Sequence, residues 1–97
     1  LHMEIPMGYE IQIRPRSGLA LKHGVTILNA PGTIDSDYRG IVGVILYNSS
    51  RKDFFIAHGD RVAQMIAAPI KQAVFGIKAA LGETDRDQGG FGSTGKS

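Results

Sequence analysis

The chain reads as an all-β domain, a sandwich or barrel, and three observations predict it. Tyr9-Glu10-Ile11-Gln12-Ile13-Arg14 alternates between apolar and polar residues, the period of a half-buried strand. Ile41 to Tyr47 is a β-branched, apolar run suited to a central strand. Further short runs follow at regular spacing, and turn-forming residues separate them.

In chain order, the first strand runs from Tyr9 to Arg14, and Pro15 limits its extension. Ser17 to His23, SGLALKH, predicts one short helical segment closed by Gly24. Val25-Thr26-Ile27-Leu28 predicts a buried strand, and Asn29-Ala30-Pro31-Gly32 a turn. Thr33 to Gly40, TIDSDYRG, reads as a hairpin tip with its acids in or near the turn. After the Ile41–Tyr47 run, Asn48 to Asp53 forms a polar turn and Phe54-Phe55-Ile56 resumes a strand. His58-Gly59-Asp60 turns again, Arg61 to Ala68 is a strand, and Ala73 to Ala79 is the last. After Gly82 the chain is polar and glycine-rich. This divides it into a β-domain over residues 1–82 and a mobile tail over 83–97.

A chain of 97 residues makes one domain with a modest core, so oligomerisation would help it considerably. The net charge is +2 with scattered basic residues, which argues against a nucleic-acid polymer and leaves small anionic ligands open. The absence of cysteine excludes disulfides, thiolate metal sites and cysteine nucleophiles, and fits a reducing compartment. No apolar run suits a membrane span and no signal peptide is visible, so a cytoplasmic protein is expected. His2, His23 and His58 lack metal-ligand spacing, and no Ser-His-Asp arrangement can be drawn.

Four clusters carry the chemistry, and the residues alone leave each open to a plain structural account. Arg14-Pro15-Arg16-Ser17-Gly18 offers cations, a hydroxyl and free amides to a phosphate, or is a strand-to-turn junction capped by Ser17. Asn29 to Tyr38 sets two carboxylates and a phenol on one turn, able to deprotonate a water or simply to form the turn. Gln64, set among apolar neighbours in Gly59 to Gln64, either joins an internal network or faces a ligand. The tail, GFGSTGKS from Gly90 to Ser97, spells a Walker A loop, but that motif needs a strand before it and a helix after it. Here a polar, turn-rich ETDRDQGG precedes it and no helix follows within the chain. What remains is a glycine-rich segment with Arg86, Phe91, Ser93 and Thr94, either a loose terminus or a cover for a nucleotide.

Together and in this order, PRSGLA (Pro15–Ala20), GTIDSDYRG (Gly32–Gly40), GDRVAQMI (Gly59–Ile66) and GGFGSTG (Gly89–Gly95) resemble the trimeric dUTPase family. Each stretch is weakly specific, whereas four in family order are strongly so. The resemblance implies a distorted jelly-roll or β-barrel that lacks its first strands in this chain, assembled as a homotrimer with shared active sites. It implies hydrolysis of dUTP to dUMP and pyrophosphate with Mg²⁺, held mainly through the triphosphate. Asp35 matches the acid that activates water. Tyr38 matches the ring beneath the deoxyribose, which leaves no room for a 2′-hydroxyl. Asn29, Thr33, Ile34 and the backbone near Gly43 match the uracil-reading hairpin. Arg16, Ser17 and Gly18 match the phosphate-binding turn, with Gln64 near the phosphates and Arg61 in support. Arg86, Gly92, Ser93 and Thr94 match tail contacts to the phosphates, and Phe91 the ring stacked on uracil.

The sequence departs from the family in three ways. Leu1 to Pro6 resembles the middle of a family sequence, so the chain is expected to be a fragment without the first motif and its metal-holding aspartate. Such a chain is expected to fold poorly alone. Ile41 stands where a polar or acidic residue is usual after YRG, and Asp87 stands where glycine is usual after the arginine. Two other functions compete, a dCTP deaminase and a non-catalytic nucleotide-binding module on the same fold. The SGLALKHG turn and the glycine-rich tail favour the dUTPase reading over the deaminase, and retention of Asp35, Tyr38, Arg86 and Phe91 favours it over the module.

Overall fold

The computed structural model describes residues 1–93 and residue 95. Five strands and one helix follow in order: β1 (Tyr9–Arg14), α1 (Ser17–His23), β2 (Val25–Ile27), β3 (Gly32–Ile34), β4 (Leu46–Asn48) and β5 (Gln64–Pro69). β1 has the expected limits and lies at the centre of an antiparallel sheet ordered β3-β1-β5. Its partners are Ile11 with Ile34 and Ile13 with Gly32 on one side, and Tyr9 with Pro69 through Arg14 with Gln64 on the other. β2 and β4 form a separate antiparallel pair, Val25 opposite Asn48 and Ile27 opposite Leu46.

α1 begins and ends where its sequence predicts. Gly24 adopts the left-handed conformation (φ 67°), and its N–H returns to the Ala20 carbonyl at 3.0 Å. That geometry terminates a helix, and glycine adopts it without the usual steric cost. The Gly24 carbonyl in turn accepts the Ser49 N–H at 2.8 Å and the Ser49 hydroxyl at 2.7 Å, which ties the helix end to the end of β4. Arg16, not Ser17, is the N-cap, and it makes no side-chain capping bond.

Five expected strands differ: the Val25–Leu28 strand stops at Ile27, and the Arg61–Ala68 strand begins at Gln64 and ends at Pro69. Of Ile41–Tyr47, only Leu46 and Tyr47 enter a ladder, although 41–45 keeps an alternating exposure. Val42 N–H bonds the Leu1 carbonyl at 2.9 Å, and the Ile45 carbonyl accepts Leu28 N–H at 2.9 Å. Phe54–Ile56 and Ala73–Ala79 pair with nothing among the described residues. The reason is physical: strand propensity becomes a strand only against a partner that takes its backbone bonds and packs its side chains. Conversely Gly32–Ile34, expected as part of a turn and hairpin tip, is a strand because β1 is beside it.

The core is small. Ile5, Ile13, Val25 and Ile27 are the buried apolar side chains. The accessible surface is 8732 Å², against about 5,400 Å² for a compact monomer of this mass. The radius of gyration is 19.1 Å, against about 12.5 Å for a compact domain of this length. The molecule is a slab only 17 Å thick, and Val74, Phe75 and Ile77 stand almost wholly in solvent.

Candidate functional site

The sequence-predicted residues fall into three groups. The first surrounds a pocket of about 220 Å³ lined by Thr33, Ile34, Asp35, Tyr38, Ile41, Val42 and Gly43. β3 delivers Thr33 and Ile34, and the chain then turns, the Tyr38 N–H bonding the Asp35 carbonyl at 3.1 Å. The turn thus aims an exposed carboxylate and a half-exposed phenol into one concavity. The Tyr38 hydroxyl donates to the Ile41 carbonyl at 2.8 Å. The Arg39 guanidinium closes the other side on the Ser36 carbonyl (2.6 Å) and the Tyr38 carbonyl (3.2 Å). Asn29 is not a lining residue. Its amide lies against Gly32, where a Cβ would come within 3.2 Å of Nδ2.

The second group lines a groove of about 410 Å³ that includes Ile13, Arg16, Asp60, Arg61 and Gln64. Arg16 Nη1 donates to the Arg61 carbonyl at 2.9 Å, and Gln64 Nε2 donates to the Pro15 carbonyl at 2.9 Å. Gln64 is exposed, and the bond from its amide ties the Pro15–Arg16 junction to β5. Ser17 and Gly18 follow on the exposed start of α1. Two guanidinium groups and an amide on one groove suit a multiply charged anion.

The third group is the tail. Arg86 Nε bonds the Gly89 carbonyl at 2.6 Å, Asp87 N–H bonds Thr84 Oγ1 at 2.9 Å, and Ser93 N–H bonds the Gly90 carbonyl at 3.0 Å. Phe91 and Asp87 have left-handed backbones (φ 49° and 50°), and the Phe91 ring is fully exposed. Thr94, with Lys96 and Ser97 of the Walker spelling, lies outside the described residues.

Asp60, Ile41, Val42 and Val44 line these sites but were expected only as turn or strand residues. The sequence does carry a signal for Asp60, a carboxylate beside Arg61 on the same turn, though turn chemistry explains it equally well. Ile41 stood out only as a departure from the family pattern, and nothing in the sequence distinguishes Val42 and Val44 from ordinary strand positions. Among the described residues no three His, Asp or Glu groups converge to hold a metal ion.

A family model for dUTPase matches residues 1–95. The chain belongs to the dUTPase family. Among curated relatives, this dUTPase-family chain is 64% identical over 95 residues to the deoxyuridine 5′-triphosphate nucleotidohydrolase of Roseobacter denitrificans, covering 98% of the chain and 62% of that protein. It is 57% identical over 93 residues to the enzyme of the same name from Syntrophotalea carbinolica, covering 96% of the chain and 63% of that protein. The chain therefore spans less than two thirds of the length of these relatives. Among solved structures, it matches a mutant dUTPase of Staphylococcus bacteriophage 80alpha with dUpNHpp at TM-score 0.82 and 25% identity, covering 96% of the chain and 70% of the phage chain. The fold is accordingly the all-β, jelly-roll-like fold of the dUTPases.

Proposed function

We propose that this chain is the dUTP-hydrolysing part of a dUTP diphosphatase, which converts dUTP to dUMP and pyrophosphate. The observation that carries the reading is the pocket in which Thr33, Ile34, Asp35, Tyr38 and Gly43 meet. The Asp35 carboxylate takes a proton from a water whose oxygen bonds to the α-phosphorus, while the bond from that phosphorus to pyrophosphate breaks. Tyr38 is the floor under the deoxyribose, and the hairpin backbone near Gly43 reads uracil. Asn29, beside Gly32, steadies that hairpin. A site built for one donor–acceptor pattern rejects another base because its own polar groups stay unpaired.

Arg16, Ser17 and Gly18 take the phosphates, with Arg61 and Gln64 supporting them. Mg²⁺ would enter with the substrate, as Mg·dUTP, held mainly through the triphosphate, whose charge it would neutralise. Residues 83–97 act as a lid in which Phe91 stacks on uracil while Arg86, Gly92, Ser93 and Thr94 close on the phosphates. A ring that nothing in the chain covers supports this role.

The assembly is a homotrimer with shared sites. β3 and β5 flank β1 on opposite sides, with Asp35 just beyond β3 and Gln64 paired with Arg14 at the far end of β1. That places the acid and the phosphate groove about 14 Å apart along the strands and about 10 Å across them. Water and phosphorus must meet within bonding range, so the acid of one copy serves the phosphate groove of another. The exposed Val74, Phe75 and Ile77 supply apolar surface for such contacts.

The test uses the full-length protein with Mg²⁺ and either dUTP or dCTP, following pyrophosphate and ammonia. Pyrophosphate from dUTP is expected, and Asp35→Asn is expected to reduce it by roughly 10²–10⁴-fold. Undiminished release by that variant removes Asp35 from its role. Ammonia from dCTP indicates the deaminase, and binding without turnover indicates the non-catalytic module.

A further inference from the structure

Gly40 lies where the Tyr38 ring folds back across its own turn. Its backbone does not use the left-handed region, so conformation does not require glycine there. Space does. A Cβ built on Gly40 would collide with the Tyr38 hydroxyl oxygen and approach ring atoms Cζ at 2.5 Å and Cε1 at 2.9 Å. Real Cβ atoms do not sit at such distances, so a methyl group here displaces the half-exposed ring. The ring cannot shift and keep its anchor, because the hydroxyl is already bonded to the Ile41 carbonyl at 2.8 Å. Nor is the turn backbone free to yield, since the Arg39 guanidinium holds it at the Ser36 and Tyr38 carbonyls. The same ring is one wall of the pocket that contains Asp35 and Gly43.

We propose that Gly40 is a positioning residue for sugar selectivity. The vacancy at its α-carbon lets the Tyr38 ring sit at the height where the pocket admits deoxyribose and excludes ribose. Gly40 itself touches no substrate. The proposal rests on the dUTP reading above.

The experiment compares full-length wild type, Gly40→Ala, Tyr38→Ala and the double variant by kcat/KM for dUTP and for UTP. Gly40→Ala is expected to lower the dUTP-over-UTP ratio by roughly tenfold or more. In the Tyr38→Ala background the same change is expected to move that ratio less than about twofold, because the ring it acts through is gone. An unchanged ratio in the single variant, or an equal loss in both backgrounds, overturns the proposal. A second measurement is independent of whether Gly40→Ala folds. In the wild-type protein the Gly40 α-proton resonances are expected to be displaced by the tyrosine ring current and to return to the usual glycine range in Tyr38→Leu. Shifts that do not change between the two proteins overturn the proposal. If the wild type hydrolyses neither nucleotide, the functional reading fails on its own, and the selectivity is then read from dUMP against UMP binding. Equal wild-type affinities for the two overturn the proposal as well.

Discussion

At the scale of single residues, Gln64 and Asp35 act in different ways. Asp35 is exposed in a pocket, where the proposed reaction has it take a proton from water, whereas Gln64 donates its amide N–H to the Pro15 carbonyl. One such bond contributes about 0.5–1.5 kcal/mol. Gln64→Ala is therefore expected to raise KM for dUTP by about 2- to 12-fold, with kcat falling less. Steady-state kinetics check this, and a kcat loss as large as that of Asp35→Asn would make Gln64 a direct participant in the chemistry. The polarity of Gln64 among apolar neighbours was legible in the sequence, as was the choice between a network and a ligand. Its observed partner, Pro15, lies 49 residues away, and no local pattern encodes that pairing. The crowding at Gly40 was illegible for another reason: Tyr38 is only two residues away, but the sequence does not say that its ring folds back over the turn.

At the scale of elements, local signals predicted what local forces decide. The helix ended at Gly24 because that residue takes the left-handed conformation, and β1 kept the limits its alternation predicted, with Ile13 the one residue fully buried. Ile41–Ile45, Phe54–Ile56 and Ala73–Ala79 carried strand composition, yet a strand is a property of a pair. The tail belongs at this scale too. Its described turns close locally, Arg86 on Gly89 and Ser93 on Gly90. Removing everything after Gly82 from the full-length protein is expected to preserve the assembly while lowering turnover by at least about tenfold. Light scattering paired with a pyrophosphate assay checks both halves, and unchanged turnover rules out the lid.

At the scale of the whole molecule, surface dominates. Four buried aliphatic side chains hold a slab whose surface far exceeds that of a compact domain, and Val74, Phe75, Ile77 and Leu81 face water. Patches of that kind mark contact surfaces. The 97-residue chain expressed alone is expected to bind a hydrophobic dye and to melt broadly or aggregate, and a sharp, reversible melt of a monomer contradicts this.

The order β3-β1-β5 has a genetic consequence. If the acid and the phosphate groove of one working site come from different copies, two defective alleles can repair each other. Asp35→Asn and Arg16→Ala chains, each inert alone, are expected to regain activity when unfolded together and reassembled. With random mixing of equal amounts, about a quarter of the sites would draw both of their intact parts from opposite parents. Recovery near that fraction makes the trimer the unit of inheritance for this activity, whereas no recovery returns the whole site to a single chain.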